Sequence, residues 1–505
     1  MSEPISIFLN KVAPLESDDE SLNRSRITAK LEEYALKWLK SEGETDIPAK
    51  LLAFGSSILG VVTNSSDLDA VLMIPTSITR ETFFANFVQM LREAKTDLTV
   101  ESIMAVPDAH VPVLKMVVEG LAVDILPCIV PIKRLKAVLE SASTDGCSFD
   151  FRQININELD TPSILALNGV RVGRTLVDSI NAGRIVAQDE LVEGDNHRLE
   201  KFKTCLRAIK HWAKQRGIYS NAVGFFGGVT WAILLVKVCL FHADFDTSTE
   251  EITLARFFQF LYEQPWGAAS PITLRPLPAS IAQFVGSLRP SSTPSLSALG
   301  SPDGDSDGSA ESLWDPSTSE ADKRALIPIL TPVAPFLNST FNVVPSTLRI
   351  LVDEFRRAFE ITRSVSGWSM ANLCASALPE LDEHYPTRLQ LAIKTKTESE
   401  DRNKWLFVWE SLVGSKLRVL MYHLERIPGL AVRPFPVGVR RNIDEIEFII
   451  FISILPLNGS GNRVIDFNDS VSQFHGALLA AMEIRDDVED LKRSCKLSIS
   501  LIKKT

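Results

Sequence analysis

Apolar residues at Ile27, Leu31, Tyr34, Ala35 and Trp38 recur at helical spacing through residues 22–41, and a Gly- and Asp-bearing break follows. Residues 51–54 and 68–74 read as strands and 80–94 as a helix. The run VPVLKMVVEGLAVDILPC (111–128) reads as two strands joined at Glu119-Gly120. From about residue 160 to 262 the pattern is helical. Its clearest segment, LEKFKTCLRAIKHWAKQRG (199–217), carries Leu199, Phe202, Leu206, Ile209 and Ala213 as one apolar stripe opposite a basic side. Residues 290–312 are rich in Ser, Pro, Gly and Asp with almost no large apolar residue. Such a stretch buries too little surface to offset the entropy of ordering, and it reads as a mobile surface insertion.

Beyond about residue 385 the expected order is strand (389–396), helix (401–425), strand (430–437), strand (445–455), helix (467–483) and strand (495–502). That order is the split βαβ, ferredoxin-like plan. With roughly 150 residues per domain, 505 residues suggest about three domains. The reading is an α+β multidomain chain. Residues 1–47 form a helical segment packing on the central domain and 48–160 an αβ domain. Residues 161–350 form a mainly helical central domain containing the 290–312 insertion, and 351–505 a third domain.

Composition changes the picture in three places. The formal charge of −10 argues against a protein that coats nucleic acid through bulk charge, but residues 385–505 hold 18 Lys and Arg against 15 Asp and Glu. The charge is therefore unevenly distributed. Six scattered cysteines show neither zinc spacing nor disulfide density, which points to a reducing compartment. The first 20 residues lack a basic start and an apolar run, so no leader is expected there. The longest apolar stretch, WAILLVKVCLFHA, is interrupted by Lys237 and reads as a buried helix, so no membrane is expected.

Candidate chemistry centres on FGSSILGVVTNSSDLDAVLMI (54–74). Successive side chains of a strand alternate faces, so Asp67 and Asp69 project the same way from one strand edge. Two carboxylates held that close are stabilised by a hard dication, and Mg²⁺ prefers one or two carboxylates with waters and phosphates. Asp124, in the neighbouring apolar run, could complete a two-ion site. The alternative is that Asp67 caps a turn after TNSS and Asp69 is simply exposed. The Gly55-Ser56 turn, whose amides can cradle phosphate, and the strand context of Asp124 favour the first reading.

Lys203, Arg207, Lys210 and Lys214 form one stripe suited to a polyphosphate, or else a solvated face. Lys210 and Lys214 are favoured because they lead into Tyr219-Ser220-Asn221, whose ring and amide suit a base, although Tyr219 reads equally as a core aromatic with its hydroxyl satisfied. Gly227-Gly228 before an apolar helix either allows close approach of a ligand or serves packing alone, and Asn168 in LNGVRV is either a ligand contact or a turn residue. His211 reads as surface or helix packing and not as a ligand. Lys394, Lys396, Lys416, Arg418, Arg440 and Arg441 are candidates for a nucleic-acid backbone, or else solvated surface residues, without an aromatic RNP signature on the strands.

Glycine-serine followed by Asp-x-Asp, with a third Asp on a later strand, resembles the nucleotidyltransferase superfamily motif. KFKTCLRAIKHWAKQRGIYSNAVGFFGGVTWAILL (201–235), LNGVRV (167–172), WDPS (314–317) and LIPILTPVAPFLNSTFNV (326–343) resemble the eukaryotic poly(A) polymerase family over most of the chain.

The resemblance implies a nucleotidyltransferase domain at 48–160, a central nucleotide-binding domain and a ferredoxin- or RRM-like RNA-binding domain. It implies template-independent addition of AMP from ATP to an RNA 3′ end, as in mRNA polyadenylation, with two Mg²⁺ or Mn²⁺ ions. Asp67 and Asp69 would hold both ions and Asp124 the ion at the primer hydroxyl. Gly55 and Ser56 would meet the triphosphate, and Phe54, Asn168, Lys210, Tyr219, Asn221, Gly228 and Val229 match positions around the nucleotide. It also implies cleavage and polyadenylation factors as partners, a monomer, and the nucleus. Ser57, where the family usually carries an aromatic residue, and the Pro-Cys closing DILPC depart from the pattern. A terminal uridylyl- or CCA-adding transferase, and an inactive RNA-binding scaffold, are the competing readings.

Overall fold

The computed structural model describes residues 3–44, 49–64, 66–93, 98–109, 111–140, 154–185, 196–266, 271–275, 314–364, 367–385, 387–396, 402–454, 465–483 and 488–503. The 290–312 stretch and Cys147 lie outside them.

The chain begins with α1 (Ile5–Val12) and α2 (Asp18–Ser41). The start of α2 is set by a capping box in which the Ser17 side chain accepts from the Glu20 amide and Glu20 reaches back to the Ser17 amide. These helices serve different cores. Ile5 and Leu9 of α1 pack with the central domain, whereas Ile27, Leu31, Tyr34, Ala35, Trp38 and Leu39 of α2 pack on the first sheet.

That sheet contains β1 (Leu51–Ala53), β2 (Leu68–Pro75), β3 (Val100–Val106), β4 (Val113–Val118) and β5 (Leu121–Val130), in the order β1-β2-β5-β4-β3. Only the β2–β5 pair is parallel. From Ala70 to Pro75 every residue of β2 is buried, as its unbroken apolar run requires of a strand covered on both faces. The rings of Trp38, Phe83 and Phe87, 5.3–5.7 Å apart, join α2 to the helical run at 80–93. Edge strand β3 was not expected from the sequence. Glu101 and Ser102 interrupt its apolar pattern, and its register slips by one residue there.

The central domain is built from α3 (Thr161–Ala182), α4 (Asn196–Gln215), α5 (Gly228–Phe241), α6 (Glu250–Glu263) and α7 (Pro345–Thr362). Phe202, Leu206, Ile209 and Ala213 of α4 are fully buried. Residues Ala232 to Val236 of α5 are also fully buried, so this helix is enclosed all round by its neighbours. The expected boundary at residue 351 cuts through α7. Ile350, Leu351, Phe355 and Ala358 belong to the central core, with Phe355 6.2 Å from Trp231.

The third domain holds α8 (Ala377–His384), β6 (Thr387–Thr395), α9 (Arg402–Glu425), β7 (Leu430–Asn442), β8 (Glu445–Ile454), α10 (Asn468–Glu483) and β9 (Cys495–Lys503). The strand order β7-β8-β6-β9, antiparallel throughout, is the split βαβ arrangement. Leu389, Leu391 and Ile393 share a core with α9 and α10. Ile449 and Phe451 join Ala377 and Leu381 of α8 in a separate cluster.

Two buried polar contacts fix this domain to the central one. In the first, Glu354 of α7 accepts two bonds from Arg216 (2.8 and 3.0 Å) and one from Arg433 of β7 (2.9 Å). Arg216, 1% exposed, also donates to the Ala375 carbonyl and to Glu380. Burial opposes its charge, but its bonds to Glu354 and Glu380 outweigh that, and its pKa is raised.

In the second, Glu425 at the end of α9 accepts from the Ser346 hydroxyl, and its other oxygen has no partner. Burial pushes its carboxyl up to about 7, against the pull of the Ser346 amide and Arg349. The fold therefore binds a proton that the unfolded chain releases near pH 4.5, and this carboxyl weakens the fold progressively as pH rises from about 4.5 to 7. Glu425→Gln is expected to leave stability near pH 4 almost unchanged and to raise it by about 2 kcal/mol above pH 7. Urea unfolding at the two pH values checks this; equal effects at both would contradict it.

Candidate active site

The Asp-rich motif lies where β2 leaves its preceding loop. Asp69 and Asp124 are register partners on parallel β2 and β5, and exposed Asp67 precedes Asp69 by two residues. The turn before β2 takes its side-chain bond from Ser66, whose hydroxyl accepts from the Thr63 amide at 2.9 Å. Asp67 is thus not needed to cap it. Arg24 of α2 holds the entry, donating to the Ser66 and Asp67 carbonyls at 2.8 and 3.0 Å while bonded to Glu16.

Asp69 carries the electrostatic cost of this crowding. Burial first, then the charges of Asp67 and Asp124, push its carboxyl up to about 7. Burial also raises Asp124, against the opposing pull of Lys115, its cross-strand partner on β4 and its ion-pair partner. Among the described residues no three His, Cys, Asp or Glu are already gathered tightly around one point. Here Asp124 is engaged by Lys115 instead.

The Gly55-Ser56 turn lies over these acids. Gly55 has φ +62, and a Cβ there would sit 2.5 Å from Asp69 Oδ2, so only glycine fits. Phe54 is tied to β2 by its amide, which donates to the Asp69 carbonyl at 3.0 Å, and its ring covers Gly169 of α3. Among the described residues the Gly55 and Ser56 amides donate to no protein acceptor, as suits an anion-binding turn. Beside them Asn168 is buried, 6% exposed, with its Oδ1 unpartnered.

The stripe on α4 divides in two. The stem of Lys203 lies across Gly60 and its ammonium pairs with Glu200. Arg207 bonds Asn10 and the Ala13 carbonyl at the end of α1. Those two cations serve the fold. Lys210 and Lys214 instead face the acids. Burial, then Lys214, lowers Lys210 to about 8 while Asp67 and Asp69 oppose that, and burial lowers Lys214 against the pull of Asp67. His211 lies edge-on to Phe8, 6.0 Å between ring centroids, in a packing role.

Tyr219 sits beneath Lys214, 5.5 Å from its ammonium to the ring centroid. Burial and the two aspartates raise its hydroxyl pKa. A Cβ on Gly228, the first residue of α5, would lie 2.8 Å from that hydroxyl. Half-buried Val229 follows and packs on the central core. Asn221 opens a 3₁₀ turn and keeps its Oδ1 buried and unpartnered.

The third-domain cations do not join this cluster as a set. Lys394 and Lys396 are exposed, Lys416 is half-buried on α9, Arg440 bonds Asn403, and Arg441 pairs with Glu447. Arg418 does reach the cluster, through Asn342. Sequence reasoning missed Arg24, Lys115 and Asn342. A lone lysine inside the apolar run VLKMVV was a signal for Lys115; the other two act through contacts distant in sequence.

Residues 2–180 match the family model of the poly(A) polymerase nucleotidyltransferase domain, and 201–372 that of the poly(A) polymerase central domain. The poly(A) polymerase of Dictyostelium discoideum is 29% identical over 484 residues, covering 92% of this chain and 51% of that protein. Nuclear poly(A) polymerase 1 of Arabidopsis thaliana is 29% identical over 429 residues, 83% and 51% of the two chains. Poly(A) polymerase pla1 of Schizosaccharomyces pombe is 27% identical, covering 84% and 65%. The chain thus spans between about half and two thirds of the length of these relatives. Among solved structures, a cytoplasmic RNA terminal U-transferase overlays with a TM-score of 0.43 at 16% identity, over 74% of this chain and 97% of that one.

Proposed function

The chain belongs to the eukaryotic poly(A) polymerase family of the nucleotidyltransferase superfamily, and from that premise we propose that it is a template-independent polynucleotide adenylyltransferase, adding AMP from ATP to RNA 3′ ends. The observation that carries this reading is the pairing of Asp69 with Asp124 on adjacent parallel strands, beneath the Gly55-Ser56 turn and facing Lys210, Lys214 and Tyr219 of a second domain.

The donor set suits a hard dication: three carboxylates, one of them so crowded that its proton is held to near neutral pH until positive charge replaces it. Asp67 and Asp69 would hold two Mg²⁺ or Mn²⁺ ions, and Asp124, released from Lys115, the one nearer the primer. When bound, these ions would lower the pKa of the RNA 3′-hydroxyl and neutralise charge on the triphosphate. In the reaction the 3′-oxygen forms a bond to the ATP α-phosphorus, the bond to pyrophosphate breaks, and the proton passes to a carboxylate or solvent.

The chain's own groups bind and orient. The Gly55 and Ser56 amides and the ammonium groups of Lys210 and Lys214 pair with the phosphates. A triphosphate would offset the burial that lowers the pKa of Lys210 and so hold its ammonium form. Tyr219 and Phe54 offer rings, and Asn168 and Asn221 offer unpaired amide oxygens to the nucleoside, whose N–H and O–H groups can donate to them.

Primer RNA is assigned to the exposed end of the third domain's sheet, where Lys394 and Lys396 of the β6 end and Lys496 of β9 face solvent. There Lys394 stands in register between Glu445 of β8 and Lys496 of β9, and a phosphate would pair with the lysine that Glu445 leaves over. Cleavage and polyadenylation factors as partners, a monomeric state and a nuclear location belong to the same proposal. A nuclear enzyme is among the relatives, and no helix among the described residues is long and apolar enough to cross a membrane.

Incubation of the purified chain with a short RNA, each of the four nucleoside triphosphates and Mg²⁺ or Mn²⁺ tests the function. Selective AMP incorporation is expected. Selective UMP incorporation would make it a uridylyltransferase, a CCA end a CCA-adding enzyme, and RNA binding without incorporation a scaffold.

A further inference from the structure

The nucleotide loop is held from the third domain through a two-bond relay. Arg418 of α9 donates from Nη1 to Asn342 Oδ1 at 2.5 Å, and Asn342 Nδ2 donates to the Asn221 carbonyl at 3.1 Å. The orientation of the Asn342 amide is dictated by its neighbours, since an arginine only donates and a carbonyl only accepts.

Two further features hold the same place. The Asn342 carbonyl presses on Gly224, where a Cβ would lie 2.8 Å from it and φ is +89. Val223, 3% exposed, belongs to the apolar core of the third domain although it lies in the loop of the second. One α9 face does the holding: Arg418 and Glu425, seven residues apart, grip residues 342 and 346 of one segment.

We propose that Arg418 and Asn342 are positioning residues for Asn221, so that the affinity of the nucleotide site for ATP is set in part by a helix of the third domain. This rests on the reading of the site as an ATP site. Arg418 then leaves the set of RNA-backbone candidates, because its guanidinium serves the protein. Asn221 is the residue acted on: its backbone carbonyl takes the relay's last bond, and its side-chain oxygen, buried and unpartnered, is left to meet the nucleoside.

The test uses the full chain and reads KM for ATP, kcat, RNA affinity against salt, and Tm. It also reads equilibrium binding of ATP with Mg²⁺ in the absence of RNA. Arg418→Ala and Asn342→Ala are expected to raise KM and the ATP dissociation constant roughly 3- to 10-fold, the range for loss of one hydrogen bond. RNA affinity and its salt slope are expected to stay as in the parent. The double variant should be no weaker than Asn342→Ala alone.

Arg418→Lys, which keeps a donor, should recover most of the loss. Asn342→Asp keeps the acceptor for Arg418 but has no N–H for Asn221, so it should behave like Asn342→Ala even with Tm unchanged. A structural role alone would not separate these two variants. Unchanged ATP binding in Arg418→Ala overturns the relay. So does weakened RNA binding with a shallower salt slope, which would return Arg418 to the RNA. If the parent chain extends no RNA, the polymerase reading fails, while ATP binding by the variants still decides the relay.

Discussion

Asp69→Ala is expected to lower kcat for chain extension by about 10³-fold or more, with Asp67→Ala and Asp124→Ala close behind. Each removes a ligand for charge neutralisation worth several kcal/mol at the reacting phosphate, and 1.36 kcal/mol is tenfold in rate. What separates this outcome from simple damage is stability. The Asp69 carboxylate opposes folding without metal, because burial and its two acidic neighbours favour its neutral form. Above about pH 7 the metal-free Asp69→Ala chain should therefore melt no lower than the parent, and the rise in Tm that Mg²⁺ gives the parent should be lost. Thermal melts with and without Mg²⁺, beside the extension assay, check it. Undiminished extension in Asp69→Ala would remove these acids from the chemistry.

The second large effect is on the fold. Glu354→Ala strands two guanidinium groups, Arg216 and Arg433, against the central core, with only Glu380 and the Ala375 carbonyl left to Arg216. Breaking a buried pair by removing one partner typically costs about 3–5 kcal/mol, far beyond any surface ion pair here. The bonds join α7 to β7 through Arg433, and the end of α4 to α7 and α8 through Arg216, so the loss falls between the central and third domains. Urea unfolding should show the lower stability, and limited proteolysis should show earlier cleavage near the junction. Restoring charge balance with Arg216→Met beside Glu354→Leu should recover part of it; a cost below about 1 kcal/mol for Glu354→Ala would mean that the network is not what fixes the domains.

How much of this was legible in the chain depends on the range of the contact. The acids were readable because strand alternation is local: Asp-x-Asp beside an apolar run fixes one face without knowledge of any partner. The split βαβ order was readable for the same reason, from strong periodicity in long segments. β3 was not, because an edge strand with polar residues loses the alternation that marks it.

Cations gave the poorest reading. Spacing placed Lys203, Arg207, Lys210 and Lys214 on one stripe, but it could not show that Glu200 and the end of α1 occupy the first two. Arg418 read as RNA-facing for want of Asn342, 76 residues earlier in the chain. The boundary at 351 failed likewise, since the amphipathic pattern of α7 says that it packs and leaves open against which core.

The 54–57 turn also says where this chain is free to drift. At position 55 the carboxylate opposite and the backbone angle together leave an alphabet of one letter, so a selection for tailing from a saturated library should return only glycine. Two positions on, the backbone makes no such demand: the Ser57 hydroxyl is buried without a hydrogen-bond partner, so its loss leaves no bond unmade. A single turn can thus hold one position that admits no side chain beside one whose side chain makes no bond.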